Sequence, residues 1–145
     1  MDLVLLLGAT PYFCFVVIII SGLLFRQKLS NERDQDLPFV SVVIAARNEE
    51  KNISSLLDDL ITQTIDKNSF EIIISNDRSE DETGKIISEY SKKYKFIKCI
   101  QITNKKDMAS KKYALEQAIK DSKGEIILAT DADCRVSKHW VISMA

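Results

Sequence analysis

The sequence predicts an α/β chain, a parallel sheet of Rossmann-like type flanked by helices, with one transmembrane helix ahead of it. Three observations predict this. From residue 39 onward, short β-branched runs alternate with stretches of helical periodicity. Polar loops follow the runs. Residues 3–25, "LVLLLGATPYFCFVVIIISGLLF", carry no charge at all. With 145 residues there is room for one sizeable core. Hydrophobic residues at 46% against 28% charged place the chain among folded domains, not disordered ones.

Taken in order, the uncharged run would span about 34 Å as a helix at ~1.5 Å per residue, enough for a ~30 Å hydrocarbon core. It lacks a basic leader and is longer than a signal peptide's apolar stretch, and Pro11 does not forbid a span. Arg26, Lys28 and Arg33 follow it, and no lysine or arginine precedes it. The positive-inside rule then puts the N-terminus outside and the rest of the chain in the cytoplasm. The expected organisation is a membrane anchor over residues 1–26, a polar linker over 27–38 and one domain over 39–145.

Pro38 marks the start of the first strand, "FVSVVIAA" (39–46). Ile53, Leu56, Leu57, Leu60 and Ile61 recur at i, i+3, i+4, i+7 and i+8, giving an amphipathic helix. "FEIIIS" (70–75) is the second strand. Ile86, Ile87, Tyr90 and Tyr94 mark a second helix, with Ser79 and Glu82 placed for a capping box. "FIKCIQI" (96–102) is the third strand. Ala114, Leu115, Ala118 and Ile119 line a third helix ending near Gly124, and "EIILAT" (125–130) is the fourth strand. A βαβαβαβ order implies parallel strands with right-handed crossovers. Ligands of such sheets bind outside the C-terminal strand ends. That rule selects "ARNEE" after the first strand, "NDRSEDET" after the second and "DADC" after the fourth.

Several chemistries are excluded. Lysine plus arginine total 20 and acids 21; with Asp2 set aside, the chain from residue 26 carries 20 of each sign. A nucleic-acid binder needs a basic surplus. Cys14, Cys99 and Cys134 form no C-x-x-C pair, and His139 is the single histidine, which argues against a disulfide framework, a zinc site or a histidine triad. The first loop has no glycine and no G-x-x-x-x-G-K-[ST] occurs, so dinucleotide and P-loop phosphate cradles are absent in their usual form. A phosphoacceptor receiver would need an acidic cluster after the first strand, where "AARN" stands. What remains is a metal-bridged phosphate. Asp131 and Asp133 offer hard oxygen ligands for Mg²⁺ or Mn²⁺, and such an ion would neutralise a diphosphate leaving group. Asp77 would accept hydrogen bonds from a base or ribose. Each residue also has a plainer role: Asp77 as a turn residue, Glu49 and Glu50 at a helix start, Lys111 and Lys112 on a solvated helix face, Trp140 in the core and His139 on the surface.

"VSVVIAARNEEKNI", "EIIISNDRSEDET", "SKKYALEQAI" and "GEIILATDADC", in this order and spacing, resemble the family 2 glycosyltransferases of GT-A fold. The resemblance covers about residues 39–145. It implies a nucleotide-diphosphate sugar as donor, inverting transfer, and a glycan or lipid acceptor of the cell envelope. It implies that Ala45, Arg47 and Glu49 contact the nucleotide, that Asp77 holds the base or ribose, and that Lys111 lies near the donor phosphates. Asp131 would stand near ribose and metal, and Asp133 would ligate the metal. Ser110 replaces the family's common glycine, and Arg47 stands where many relatives have tyrosine. The family's general base belongs to the second half of its domain, so it is expected beyond Ala145 and the chain is expected to be the donor-binding half. The alternative is a non-catalytic, membrane-tethered module that binds a nucleotide or a partner.

Overall fold

A computed structural model describes residues 11–22, 37–103 and 110–145. The chain divides into two units, Met1–Asp36 and Leu37–Ala145. In the first, residues 11–22 form a helix, α1, on which Tyr12, Phe15 and Ile18 are exposed. Twelve helical residues extend about 18 Å, short of a hydrocarbon core. Among the described residues no helix is long and apolar enough to cross a membrane. The transmembrane helix expected over 3–25 is thus not supported by the described helix; residues 3–10 and 23–25 lie outside the described residues.

The second unit runs β1 (Val40–Ala46), α2 (Ile53–Ile61), β2 (Phe70–Asp77), α3 (Thr83–Lys93), β3 (Ile97–Ile102), α4 (Ser110–Asp121), β4 (Ile126–Asp131) and α5 (Trp140–Met144). The strands make one sheet in the order β3-β2-β1-β4, and every pairing is parallel. β1 is central and covered on both faces, which is why it reads as a continuous apolar run. Its even-numbered residues Val40, Val42, Ile44 and Ala46 join Phe70, Ile72 and Ile74 in the main core, closed by Ile53, Leu56, Leu57 and Leu60 of α2, Ile87 of α3 and Val141 of α5. Each of these large side chains contributes about 1.5–3 kcal/mol by leaving water. Val43 and Ile73 point to the other face, where Ala118 and Leu115 of α4 cover them.

The structure corrects three details. β2 continues through Asn76 to Asp77 and β4 through Asp131, because parallel pairing (Ala46 with Asn76, Asp77 with Ile102, Ala45 with Asp131) extends past the apolar residues. Asp77 is therefore the last residue of its strand, not two residues beyond it. The capping box does not form. α3 starts at Thr83 with Glu82 as N-cap and no side-chain cap bond, because the Ser79 hydroxyl donates to Asn76 Oδ1 at 2.5 Å instead. α5 was not anticipated, since five residues carry too little periodicity to read. Trp140 packs partly buried against the main core, and His139 is exposed.

Among the described residues β4 is an outer strand, and Ile127 on it is 40% exposed. Its entry is fixed by Gly124, whose N–H donates to the buried Ser41 hydroxyl at 2.8 Å. A Cβ there would lie 2.4 Å from the Ser41 backbone nitrogen, and backbone at the centre of the sheet has nowhere to move. Gly124→Ala is expected to destabilise the domain by about 1–3 kcal/mol, measurable as a lower urea midpoint in Trp140 fluorescence. An unchanged midpoint would mean that β4 enters along a different path.

Candidate functional site

β1, β2 and β3 advance in one direction across the sheet, and β4 then returns to the far side of β1. This reversal opens a crevice at the carboxyl ends of β1 and β4, the position where open parallel sheets take their ligands. The crevice holds about 290 Å³ and is lined by Ala45, Ala46, Arg47 and Glu49 after β1, Asp77 of β2, Lys111 of α4, and Asp131, Ala132 and Asp133 at the end of β4. All seven residues singled out from the sequence, Ala45, Arg47, Glu49, Asp77, Lys111, Asp131 and Asp133, meet there.

Local structure explains the placement. Cys134 N–H donates to Asp131 C=O at 3.2 Å, closing a tight turn. Ala132 at its middle is 3% exposed and packs into the core, while Asp131 and Asp133 are both exposed. The small buried residue pins the turn and leaves a carboxylate on either side. Lys111, in the first turn of α4, reaches Asp131 Oδ1 at 2.7 Å. That hydrogen bond holds the lysine amine above its ordinary range. Asp77 is the opposite case: its side chain is 3% exposed, and Arg78 Nε donates to its Oδ1 at 2.8 Å.

Two loops frame the crevice and clasp each other. Asn48 N–H donates to Ser79 Oγ at 3.0 Å, and Asn48 Oδ1 accepts from Glu80 N–H at 2.9 Å. Glu49 N–H donates to Thr83 Oγ1 at 2.8 Å. Glu50 N–H donates to Asp81 Oδ2, and Glu50 Oε2 accepts from Glu82 N–H, both at 3.1 Å. Burial works to raise Asp81, yet the hydrogen bonds it accepts from Thr83 and Glu50 outweigh this and hold it below the usual carboxylate range. The Glu49 carboxylate also accepts from Asn52 Nδ2 at 2.9 Å. Asn48, Asp81 and Thr83 were not singled out from the sequence, and Ser79 only as a helix cap. Their signal was the density of short polar residues in two loops at one sheet edge, which reveals turns but not which loop grips which.

A second unanticipated set anchors the chain after Asp133. Asp59 of α2 takes Arg135 in a fork, Nε at 2.6 Å and Nη2 at 2.9 Å, and accepts Val136 N–H at 3.1 Å. Buried Gln63 donates to Ser137 C=O at 2.7 Å and accepts Val141 N–H at 3.0 Å. The Arg135 hydrogen bond leads in holding the Asp59 carboxyl below its usual range. A depressed folded pKa contributes stability that is present above the unfolded value of about 3.9 and is lost as pH falls through the folded value. Asp59→Asn is therefore expected to lower the melting temperature at pH 7 and to leave it less sensitive to acid below pH 4 than the parent. Equal acid sensitivity in melts from pH 7 to pH 2 would contradict this.

The fit of a metal can be judged from the donor set. Among the described residues no group of three or more His, Cys, Asp and Glu side chains stands ready to cage an ion. At the end of β4 Asp131 and Asp133 supply hard oxygens, with the Glu49 and Asp77 carboxylates elsewhere in the same lining, and Mg²⁺ is commonly held by one or two carboxylates together with substrate phosphates and water. Asp131 already carries a cation, the Lys111 ammonium. The pair fits an ion whose remaining ligands come from a phosphate-bearing ligand.

The comparison with known proteins decides the family. Residues 41–145 match the model of glycosyl transferase family 2. The chain belongs to that family. It is similar to a probable glycosyltransferase, YdaM, of Bacillus subtilis (strain 168), 39% identical over 75% of this chain and 28% of the relative. It is also similar to the beta-monoglucosyldiacylglycerol synthase of Trichormus variabilis, 33% identical over 77% of this chain and 24% of the relative. Among solved structures, S. aureus TarS 1–349 in complex with UDP-GlcNAc superposes with a TM-score of 0.61 at 31% identity, over 68% of this chain and 28% of that one. The mannosyltransferase PcManGT of Pyrobaculum calidifontis, in complex with GDP-Man and Mn²⁺, has a TM-score of 0.62 at 20% identity, over 83% of this chain and 37% of that one, and shares the fold. This family 2 chain spans roughly a quarter of the length of both curated relatives.

Proposed function

We propose that the chain forms the donor-binding part of an inverting, membrane-associated glycosyltransferase that takes a nucleotide-diphosphate sugar and serves an envelope glycan or lipid acceptor. The observation that carries this reading is the convergence of Asp77, Lys111, Asp131 and Asp133 with the Ala45–Glu49 loop on one crevice. Solved relatives in complex with UDP-GlcNAc and with GDP-Man and Mn²⁺ support the ligand class.

In this reading the buried Asp77 carboxylate accepts from a ribose hydroxyl or base N–H, and Ala45, Arg47 and Glu49 border the nucleotide. Lys111 turns from Asp131 to the diphosphate, exchanging one anionic partner for another. Asp131 and Asp133 would hold Mg²⁺ or Mn²⁺. The ion, when bound, neutralises the charge that grows on the diphosphate as the sugar leaves. Deprotonating the acceptor needs a base, a role this reading gives to none of the crevice residues. The apolar run over residues 3–25 and the basic residues behind it support a single membrane tether with the domain on the cytoplasmic side. A reporter joined after Ala145 that worked only on the outer face would overturn that placement.

Nitrogen-15 NMR of the chain with UDP-glucose, UDP-GlcNAc or GDP-mannose in the presence of Mg²⁺ tests the reading. At least one ligand should shift the amides of Ala45, Arg47, Asp77, Lys111 and Asp131, and free nucleoside diphosphate should displace it. No binding, or shifts centred away from the crevice, would contradict it.

A further inference from the structure

Arg78 holds a backbone conformation that its residue type does not favour. Its φ is 53°, in the left-handed region where a side-chain-bearing residue is strained by roughly 1–2 kcal/mol. Asn48, across the clasp, shares that region at φ 56°, but asparagine tolerates it and uses its side chain to accept Glu80 N–H. Arginine tolerates it less, and here the Arg78 N–H donates to Asn76 C=O at 3.1 Å while its side chain turns back to the neighbouring Asp77.

The geometry indicates what the conformation achieves. Successive side chains of a strand point to opposite faces, so β2 continued straight would carry Arg78 away from Asp77. The left-handed turn brings the guanidinium back, and Nε meets Asp77 Oδ1 at 2.8 Å. The carboxylate is 3% exposed and its partner 30%. A buried acid at the base of the crevice is thus gripped by the next residue in the chain. We propose that Arg78 is a positioning and specificity residue for the nucleoside part of the ligand. It fixes the rotation of Asp77, so that the carboxylate meets the ligand as an oriented acceptor and selects groups that donate, a ribose hydroxyl or a base N–H. The diphosphate end, at Lys111, Asp131 and Asp133, is independent of it. This inference rests on the donor-site reading of the crevice.

Arg78→Gly separates the two halves of the claim, because glycine adopts φ 53° without strain but cannot hold Asp77. Urea unfolding and calorimetric titration with UDP, GDP and inorganic diphosphate, all in Mn²⁺, give the readouts. The expected result is affinity for the preferred nucleoside diphosphate lowered by about 10-fold or more, while affinity for inorganic diphosphate stays within about 2-fold; the urea midpoint falls no further than in Asp77→Ala, because relief of the φ 53° strain offsets part of the lost Asp77 contact. The nucleotide-to-diphosphate ratio is the quantity a merely structural role would not move. Arg78→Lys keeps the charge without the planar fork and should recover only part of that ratio. Equal nucleotide affinity in wild type and Arg78→Gly would overturn the role of Arg78. So would a parallel fall in stability and in both affinities. A wild-type chain that binds inorganic diphosphate but no nucleotide would reject the inference and leave the phosphate end standing. One that binds neither would reject the donor-site reading and the inference with it.

Discussion

Asp133→Ala is expected to remove the Mn²⁺-dependent part of nucleotide-sugar binding, a loss of about 10-fold or more in affinity at saturating metal. A turn closes between Asp131 C=O and Cys134 N–H. Ala132 is buried beneath it, so the turn is anchored independently of either carboxylate. With Asp131 shared with Lys111 at 2.7 Å, Asp133 is the acid at this strand end best placed to commit itself to an ion. Removing it leaves one carboxylate at this strand end where two stood, and Mg²⁺-type sites commonly rest on only one or two carboxylates beside the substrate phosphates. Asp133 is exposed, so its replacement should move the folding free energy by less than about 0.5 kcal/mol. Affinity lost without stability lost is the signature. Asp133→Asn, which keeps shape but not charge, should behave like the alanine variant. Retained metal dependence in both would place the ion elsewhere.

Asp77→Ala should behave differently. It is expected to weaken nucleotide binding by about 10- to 100-fold whether or not metal is present, because it acts at the nucleoside end of the crevice. A hydrogen bond to a charged acceptor is worth about 1.5–3 kcal/mol, which sets that range. It should also cost stability. The Asp77 side chain is 3% exposed and accepts from Arg78, so its loss leaves a gap in a buried position and removes the hydrogen bond that ties down a residue holding φ 53°. A fall of about 1–3 kcal/mol in unfolding free energy is expected. The two aspartate variants therefore make a cross-comparison: one affects metal-linked binding alone, the other affects metal-free binding and folding. Titrations of both with UDP, with and without Mn²⁺, together with urea melts, give all the terms.

The fold was legible because its signals are local. "VSVVIAA" is buried on both faces and reads as an uninterrupted run; the spacing of Ile53, Leu56, Leu57 and Leu60 is set by α2 facing one core. The candidate site was legible at the level of which loops converge, since parallel strands put all their carboxyl ends at one edge of the sheet, which brings Asp77 and Asp131 to the same edge although β1 lies between their strands. The inter-loop contacts were not. The clasp joins Asn48 to Ser79 and Glu80, and the fork joins Asp59 to Arg135; nothing in a linear pattern pairs residues so far apart. Ser79 and Glu82 matched the spacing of a capping box, and the Ser79 hydroxyl instead serves Asn48 across the clasp and, locally, Asn76. Gly124 was read as the end of a helix, whereas its lack of a side chain is demanded by the backbone of Ser41. The apolar run of residues 3–25 had the length of a span, while the described helix covers residues 11–22.

The central claim is that one crevice joins a nucleotide end at Asp77 to a metal end at Asp131 and Asp133 through the diphosphate between them. Thermodynamic linkage tests it most directly, since two ligands that share contacts must strengthen each other by the same factor. Calorimetric titration of UDP into the chain, without Mn²⁺ and with saturating Mn²⁺, measures that factor from one side, and titration of Mn²⁺ with and without UDP measures it from the other. The account predicts the same enhancement from both sides, about 10-fold or more, and its disappearance in Asp133→Ala. UDP affinity that is independent of Mn²⁺, and unaltered by Asp133→Ala, would contradict it.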